Sequence, residues 1–443
     1  MDHGQLSMVA DKFPWVFSEA LLNACGKEVK FCRRQRTITP FRLGLALTAT
    51  CASQRVDTLA DFHRGFNALF DTTITYKAFY NQLAKPHFAA FMSTTASRLI
   101  GELTLKVLGF ATGRACAEFR HSVIQDGSSF AIHDGLREVF PGRFKAVKPA
   151  AVELHTTMDL LCDAPTIVVL TPDTASEQTF LPEPAALRAS VLLADRGYLD
   201  LHSLRRVQDE GGFLLIRAKA GMHPQVVEAF REDGKRLRSL RNKPLKAIHA
   251  KLPKRQRVEL VVTWQVEAHT LRLRLLISWN RRTQEFCYLL TNLPAKRYHL
   301  DMLYRAYKWR WQVELLLKEW KSYANLHAFD TANPAIVEGL MWAAIAAAAL
   351  KRFLAYMPQL LAEVPMSTRK VAMCAVYVLG GIVQALKTGD VAGLYVALEA
   401  AITYLACHAQ RAHPERDRQT GRSQLGLEPL LGSNDLIEFA DAA

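Results

Sequence analysis

The spacing of apolar residues changes twice along the chain, and each change predicts a different kind of structure. Residues 14–108 place apolar side chains three and four positions apart, with Asp57 and Thr58 as a cap, which predicts helices. Short apolar runs between polar breaks, typical of strands, follow at residues 152–161, 166–170 and 191–194, and residues 122–132 predict a strand, a turn at Asp126 and the start of the next strand. Residues 199–206 return to helical spacing. The sequence therefore predicts an α/β fold preceded by a helical region.

A second block of strands is predicted further along the chain, where Val, Leu and Ile alternate with polar or basic residues. It comprises residues 211–220, 257–264, 271–279 and 285–293. From residue 335 the chain is helical again and ends in a polar stretch, residues 408–434. The apolar segments 339–350 and 371–386 are too short, or too interrupted by polar residues and glycine, to span a membrane. We expect buried helices there and no membrane partner.

Residues 307–321 combine chemical groups and an apolar stripe on one helix. The chemical face consists of Tyr307, Arg310, Glu314 and Lys321, which fall within an arc of roughly 60°. The apolar stripe, which should anchor the helix to a core, consists of Trp309, Val313, Leu316 and Trp320. A carboxylate between two cations suits the binding of a polyanion, because the cations can hold the polyanion while the carboxylate binds a metal ion. The alternative is a solvated face with i,i+4 ion pairs.

Two aspartates stand upstream where strands are expected to end. Asp126 follows an apolar run and precedes Gly127, and Asp195 ends the run at residues 191–194. Chemistry in α/β proteins favours such strand ends. Asp before Gly is also a common turn residue, and Asp134 is a rival for the first position. Three distant carboxylates suit a pair of divalent cations, with Mg²⁺ expected and Mn²⁺ acceptable.

The pattern Tyr-x2-Arg-x3-Glu-x6-Lys, from Tyr307 to Lys321, resembles the signature of the insertion-sequence-4 family of bacterial DDE transposases. The resemblance implies an RNase H-like catalytic core at residues 116–334, with a β-strand insertion at about residues 211–294. A helical DNA-binding domain would occupy residues 1–115. Residues 335–443 would form a helical C-terminal region, for which dimerisation is one role.

The resemblance also assigns roles to single residues. Asp126, Asp195 and Glu314 would be the catalytic residues and metal ligands, and the phosphates of the transposon end would be held by Tyr307, Arg310, Lys321 and Arg196. The reaction would be hydrolysis at the transposon end, followed by attack of the freed 3′-hydroxyl on target DNA. The enzyme would act as a homodimer on double-stranded DNA.

Charge agrees with a polyanionic partner, because the 443 residues carry a formal net charge of +14 and the pI is about 9.4. Residues 235–257 contain ten Lys or Arg and no acid. We expect this run to form a loop that contacts phosphates, Lys254, Arg255 and Arg257 included, and the alternative is a loop that is merely solvated. A basic cluster at residues 32–36 and a polar and aromatic group at residues 75–81 mark the N-terminal helices as DNA-binding candidates.

The eight cysteines lack zinc-ligand spacing, so neither a structural zinc nor a disulfide framework is expected. No signal peptide is expected either, and we predict a cytoplasmic, nucleoid-associated bacterial protein. Relatives support a flipped base with an aromatic residue of the insertion, but the matching position here is Cys287. Phe286 and Tyr288 should lie on the opposite sheet face from it, which leaves base flipping open.

Two other functions remain compatible with these residues. The first is a metal-dependent nuclease that uses the same core without strand transfer. The second is a DNA-binding transposase remnant without catalysis, against which the presence of all three acids argues.

Overall fold

The computed structural model describes residues 2–32, 36–53, 56–103, 118–160, 164–219, 221–326, 329 and 331–419. A central sheet lies between two groups of helices in sequence. The N-terminal group comprises α1 (His3–Val16), α2 (Glu19–Glu28), α3 (Pro40–Ser53), α4 (Leu59–Phe70), α5 (Tyr76–Leu83) and α6 (Phe88–Glu102). The C-terminal group comprises α11 (Pro334–Leu361), α12 (Thr368–Thr388), α13 (Val391–His408) and α14 (Pro414–Gln419). Residues 33–35 of the predicted basic cluster lie outside the described residues.

The sheet has ten strands in the part of the chain that the structure describes. They are β1 (Ser122–Ala131), β2 (Ala151–Asp159), β3 (Ala164–Pro172), β4 (Val191–Ala194), β5 (Phe213–Arg217), β6 (Gln225–Arg231), β7 (Lys243–Pro244), β8 (Val258–Val266), β9 (His269–Asn280) and β10 (Glu285–Thr291). Their order across the sheet is β3-β2-β1-β4-β5-β10-β9-β8-β6-β7. The helices between the strands are α7 (Leu201–Asp209), α8 (Leu245–Ile248), α9 (Leu300–Lys308) and α10 (Trp311–Tyr323).

The first five strands form an RNase H-like core. β1, β2 and β3 pair antiparallel, while β1, β4 and β5 run parallel. The spatial order 3-2-1-4-5 is that of the RNase H-like fold, so the expected α/β fold class is confirmed. Strand β4 is apolar and fully buried because both faces of the sheet are covered there.

The predicted second block of strands extends this sheet instead of forming a separate one. β10 pairs antiparallel with both β5 and β9, and β9 continues to β8 and β6. Residues 213–217, which we expected within the insertion, form β5 and pair parallel with β4 in the core. Strand β6 was not predicted, because its short apolar stretch is interrupted by polar residues.

The helices from the two ends of the chain share one hydrophobic core. α11 packs against α3 and α6, and α1 packs against α13. Asn333 caps α11 by accepting a hydrogen bond from the Ile336 N–H, and Pro334 occupies its first turn. By length and composition alone α11, α12 and α13 could each cross a membrane, but 83% of the most apolar stretch of α11 is buried within the protein. The predicted buried helix at residues 339–350 is therefore confirmed.

Candidate active site

The two aspartates lie side by side at one end of the parallel strands. The parallel pairing of β1 with β4 ends at Gln125 opposite Ala194, so the next residue on each strand is an aspartate. Adjacent strands are about 4.8 Å apart, which places Asp126 beside Asp195. Our expectation of a turn after Asp126 is wrong, because β1 continues to Ala131 by pairing with β2.

Asp195 does end its strand, and a turn of 3-10 helix follows it, Arg196–Tyr198, in which Arg196 is exposed and Tyr198 is buried. The rival Asp134 is exposed and lies on another 3-10 turn, beyond the end of β1. Asp126 lies within its strand and Asp195 at the end of its strand because β1 continues past this end of the parallel strands by pairing with β2, whereas β4 stops there.

The expected single helix at residues 307–321 is interrupted. Tyr307 belongs to α9, whereas Glu314 and Lys321 belong to α10. Between the helices the backbone tightens into i→i−3 hydrogen bonds, from Arg310 N–H to the Tyr307 carbonyl and from Val313 N–H to the Arg310 carbonyl. The predicted anchoring stripe is confirmed, because its four residues are all at most 6% exposed, namely Trp309, Val313, Leu316 and Trp320.

Arg310 links two of the three acids. Its Nη1 donates a hydrogen bond of 2.9 Å to Oδ2 of Asp126, and its Nη2 donates to Oε1 of Glu314. The Arg310 side chain is only 13% exposed, so these pairs are shielded from water. Hydrogen bonds between ionised groups are stronger than neutral ones. A positive charge thus already lies between the carboxylates of β1 and α10.

Asp195 is approached from two other elements. The Tyr307 hydroxyl donates to Asp195 Oδ1 at 3.4 Å and to the Ala194 carbonyl at 3.3 Å, which are long hydrogen bonds. Arg217 Nη1, at the end of β5, is 3.8 Å from Asp195 Oδ1. The sequence did not point to Arg217. Arg217 follows Ile216, which pairs with Ala194, so it comes next to Asp195. This position could be inferred only if β5 were already known to adjoin β4.

The pKa of Asp126 is raised from 3.8 to about 6, mainly because the carboxylate is buried. Arg310 and the Gly127 N–H act in the opposite direction, while the charges of Glu314 and Asp195 raise it further. Burial also raises the pKa of Tyr307 far above its ordinary value, so its hydroxyl stays protonated and can donate. The site therefore contains mutually repelling carboxylates, which are typical of functional sites.

Lys321 faces β1 instead of open solvent. Its Nζ donates a hydrogen bond of 2.7 Å to the Ser129 carbonyl and lies 5.8 Å from the centroid of the Phe130 ring. Burial lowers its pKa, the charge of Lys148 lowers it further, and the charge of Glu153 acts in the opposite direction. The side chain is half-buried, and it bonds to β1 three residues beyond Asp126.

A cavity of about 600 Å³ opens beside Asp195 and was not predicted. Its walls carry cations and aromatic rings, chiefly Arg196, Arg217, Lys254, Trp279, Phe286 and Tyr288. The Lys254 Nζ lies 4.2 Å from the Trp279 ring centroid, and the Trp279 and Phe286 rings meet edge to face at 4.8 Å. Phe286 and Tyr288 thus reach the cavity from the sheet face opposite Cys287, as strand alternation requires.

The basic run at residues 235–257 is folded, so the expectation of a loop is wrong. It contains β7, α8 and two 3-10 turns, and its apolar residues are buried, namely Leu240, Leu245, Ile248 and Leu252. Lys254 and Arg255 are exposed. Arg257 is half-buried, pairs with Asp301 and lies over the Tyr304 ring. The run therefore presents most of its cations on a fixed surface.

An RNase H-like sheet with acids at the ends of its parallel strands defines a class of enzymes that transfer phosphoryl groups in nucleic acids. The family described as "Transposase DDE domain" matches residues 122–350, just over half of the chain. The chain belongs to this family and is a DNA transposase, as the sequence signature had indicated.

Individual relatives are distant but similar over most of their length. The chain is 22% identical over 363 residues to the transposase for insertion sequence element IS231E of Bacillus thuringiensis subsp. finitimus, covering 73% of this chain and 74% of that relative. It is 21% identical over 355 residues to the transposase for IS231F of Bacillus thuringiensis subsp. israelensis, covering 72% and 73%. Its fold also aligns with piggyBac transposase in a synaptic complex with hairpin DNA, with a TM-score of 0.45, 10% identity and coverage of 88% and 84%.

Proposed function

We propose that this transposase binds the ends of its transposon, cleaves them by metal-dependent phosphoryl transfer and joins the 3′-hydroxyl to target DNA. The observation that carries the proposal is the gathering of Asp126, Asp195 and Glu314 from two parallel strands and one helix. Asp126 and Asp195 follow the last paired residues of β1 and β4, and Arg310 ties Glu314 to Asp126.

The donor set fits a hard divalent cation such as Mg²⁺ or Mn²⁺, because it consists of carboxylate oxygens. In their present positions no three Asp, Glu, His or Cys side chains of the described residues are arranged to hold one ion. The Arg310 guanidinium stands in for a cation between Asp126 and Glu314. When bound, divalent ions would stabilise the charge on the attacking and leaving oxygens. The three carboxylates are the proposed ligands.

The cations around the acids are the proposed phosphate contacts. Arg310 would break its hydrogen bonds to Asp126 and Glu314, and its planar guanidinium group would then bind a phosphate through two hydrogen bonds. Tyr307 is a protonated donor beside Asp195, and Arg196 is exposed on the next turn. Lys321 would hold the strand at the margin of the site. Lys254, Arg255 and Arg257 would extend the phosphate path across the basic surface.

The aromatic cavity would receive an unstacked base of the transposon end. Any base can stack on an aromatic face, and cations at the rim can hold the neighbouring phosphates. Trp279 and Phe286 supply the rings, and Arg196, which follows Asp195 in sequence, forms part of the cavity wall. The cavity volume of about 600 Å³ lies within the usual range of small-ligand pockets, roughly 300–1,000 Å³.

The proposed partners are transposon-end DNA, target DNA and a second copy of the chain. α12 and α13 expose apolar side chains, among them Met373, Tyr377 and Val396, which suits a homodimer contact better than DNA. The protein would act in the cytoplasm, on the bacterial nucleoid.

The deciding experiment is a strand-transfer assay with duplexes made from the DNA that flanks the coding sequence, in the presence of Mg²⁺. The wild type should cleave the end and join it to a target plasmid. Glu314→Gln should abolish both steps while DNA binding persists, because removing a negative charge cannot weaken attraction to phosphate. Arg310→Ala and Lys321→Ala should weaken binding first, by roughly 1.5–3 kcal/mol per lost charged hydrogen bond.

Asp134→Asn is the matched control. Asp134 is an exposed acid, and like Asp126 it precedes a glycine. It should leave cleavage unchanged. Cleavage without joining in the wild type would favour the nuclease alternative. Binding without cleavage by the wild type would favour the non-catalytic remnant, and normal cleavage by Glu314→Gln would refute the metal assignment.

A further inference from the structure

The loop between β1 and β2, residues 142–149, exposes apolar side chains among cations. Phe144 is 66% exposed and Val147 is 79% exposed, and Phe144 is the one exposed phenylalanine among the described residues. Lys145 and Lys148 are exposed as well, and the loop contains no Asp or Glu. A single exposed apolar residue is common. Two in one turn bordered by cations form a surface that suits DNA, which offers phosphates and stacked bases.

The backbone of this loop is closed by hydrogen bonds. The Gly142 N–H donates to the Pro149 carbonyl at 2.9 Å, and the N–H groups of Val147 and Lys148 both donate to the Phe144 carbonyl, at 3.0 and 2.8 Å. A Cβ at Gly142 would lie 1.9 Å from the Lys148 carbonyl oxygen, so only glycine permits this closure. The Phe144 ring is therefore presented by a turn of fixed shape.

One buried carboxylate ties the loop to β1 near the acids. Asp173 Oδ2 accepts a hydrogen bond of 3.1 Å from the Arg143 N–H, and its Oδ1 accepts one of 2.6 Å from the Ser129 hydroxyl. Ser129 follows Asp126 by three residues on β1, which is roughly 10 Å along a strand. That length corresponds to about three base pairs of DNA. The loop would thus meet a duplex a few base pairs from a phosphate held at the acids.

The loop and the aromatic cavity belong to opposite sides of the acid pair in the sheet. β2 adjoins β1 on one side, whereas β4, β5 and β10 follow β1 on the other. The cavity is lined from β5, β9 and β10, chiefly by Arg217, Trp279 and Phe286. A transposon end bound at the cavity would leave the side of the loop to a second duplex. Strand transfer requires a second duplex, which is the target.

The size and charge of the loop surface suit DNA better than a protein partner. A stable protein interface buries about 800 Å² on each partner and is depleted in Lys. Here only two large apolar side chains are exposed, and cations lie between and beside them. Proteins that bend DNA insert an apolar side chain between base pairs and hold the phosphates nearby with Lys or Arg.

We propose that Phe144 is a wedge that inserts between two base pairs of the target DNA and bends the duplex toward the acids. Lys145 and Lys148 hold the neighbouring phosphates. Pyrimidine–purine steps such as TA and CA are the easiest to unstack, so the wedge favours insertion at a fixed distance from them. This inference rests on the proposed joining step, and it assigns the selection and deformation of the target to one residue.

The first test is binding of the full-length protein, without divalent metal, to two duplexes that differ only by one central mismatched pair. The wild type should bind the mismatched duplex about ten-fold more tightly, because a mismatched step is already weakly stacked. Phe144→Ala should bind both duplexes equally, whereas Phe144→Leu, which keeps an apolar wedge, should retain most of the preference. Val139→Ala is the matched control. It removes a side chain that is 48% exposed in the turn before the loop and should retain the full preference.

The second test is joining of transposon ends that already carry a free 3′-hydroxyl, in the presence of Mg²⁺, with the insertion sites read by sequencing. Wild-type insertions should cluster at a fixed distance from pyrimidine–purine steps. Phe144→Ala should lose this clustering and join about ten-fold more slowly. A target with a mismatch at the preferred step should restore its rate, which a merely structural defect would not allow.

Equal preference for the mismatched duplex in the wild type and Phe144→Ala would overturn the proposal, and so would a wild type without any preference. A joining defect that the mismatch does not relieve would also overturn it. Conversion of a wild-type dimer to a monomer by Phe144→Ala, seen by size-exclusion chromatography, would overturn it in favour of a protein contact.

These outcomes differ from failure of the proposed function. If the chemistry is wrong, the wild type does not join transposon ends, but its preference for the mismatched duplex still depends on Phe144. If only the wedge is wrong, the wild type joins the ends and Phe144→Ala joins them with the same pattern of insertion sites.

Discussion

Replacing Asp126 by Asn should stabilise the folded protein at neutral pH while it abolishes DNA cleavage. The pKa of Asp126 is about 6 in the folded protein against an ordinary value of 3.8. Burial therefore disfavours the ionised carboxylate more than Arg310 favours it. Asparagine has nearly the same shape, needs no ionisation and can still accept a hydrogen bond from Arg310. Arg310 also keeps Glu314 as a partner, so the substitution leaves no orphaned buried charge.

The magnitude and its pH dependence follow from the two pKa values. One pKa unit corresponds to about 1.4 kcal/mol, so the difference between 3.8 and about 6 amounts to at most about 3 kcal/mol. Above pH 6 the carboxylate is ionised in both the folded and the unfolded chain, and its full cost is present. Between these pKa values the folded chain binds more protons than the unfolded chain, so wild-type stability rises as the pH falls. The advantage of Asp126→Asn should therefore shrink below pH 6 and vanish near 3.8.

The assay is thermal unfolding followed by circular dichroism at about pH 8 and about pH 5. At about pH 8 the melting temperature of Asp126→Asn should exceed that of the wild type by a few degrees, since about 2 °C per kcal/mol is typical of larger domains. Asp195→Asn is the control at the same sheet edge, with a side chain 31% exposed against 15% for Asp126. A lower melting temperature for Asp126→Asn at about pH 8 would refute the reasoning, because the Arg310 pair would then outweigh burial.

Two further predictions concern the DNA path. Replacing the exposed Lys251, Lys254 and Arg255 by Gln should lower the slope of log affinity against log salt by roughly 0.9 per lost phosphate contact, and an unchanged slope would mean that these cations face only solvent. Trp279→Ala should remove the fluorescence change of a 2-aminopurine placed at the cleaved end, whereas Trp15→Ala, at an exposed tryptophan of α1, should leave it intact; equal signals would exclude Trp279 as a stacking surface.

Most of the fold could be predicted from local patterns in the sequence. Most strands of the core have short apolar runs with clear polar boundaries, so β2 to β4 could be predicted with little error in their limits. The turn expected at Asp126 was wrong, because β1 runs through it to Ala131 by pairing with β2. The position of β5 could not be predicted, because a strand is assigned to core or insertion by its neighbours in the sheet. Arg217 was missed for the same reason, since its distance of 3.8 Å from Asp195 depends on the parallel pairing of β5 with β4.

The break between α9 and α10 and the aromatic cavity depend on tertiary contacts as well. No proline or glycine at Trp309 and Arg310 indicates a break in the sequence. Both residues keep helical backbone angles. Tyr307, Arg310, Glu314 and Lys321 therefore keep their helical spacing although the helix is interrupted. The cavity gathers residues from the turn after β4, the end of β5, the segment after α8, and the strands β9 and β10. Strand alternation correctly placed Phe286 and Cys287 on opposite faces of the sheet. It could not show that Trp279, on β9, pairs with Phe286, on β10.

The partners of Arg310 distinguish this helix face from an ordinary solvated one. An i,i+4 pair such as Arg310 with Glu314 occurs on many exposed helices and stabilises them by only about 0.3–0.5 kcal/mol. Here the same guanidinium also bonds to Asp126, 184 residues away in sequence, and its side chain is 13% exposed. Desolvating two acids and a cation usually weakens a fold compared with apolar packing. Local helix stability therefore does not explain the arrangement, whereas the proposed active site, which needs carboxylates and a phosphate-binding cation at one point, would explain it.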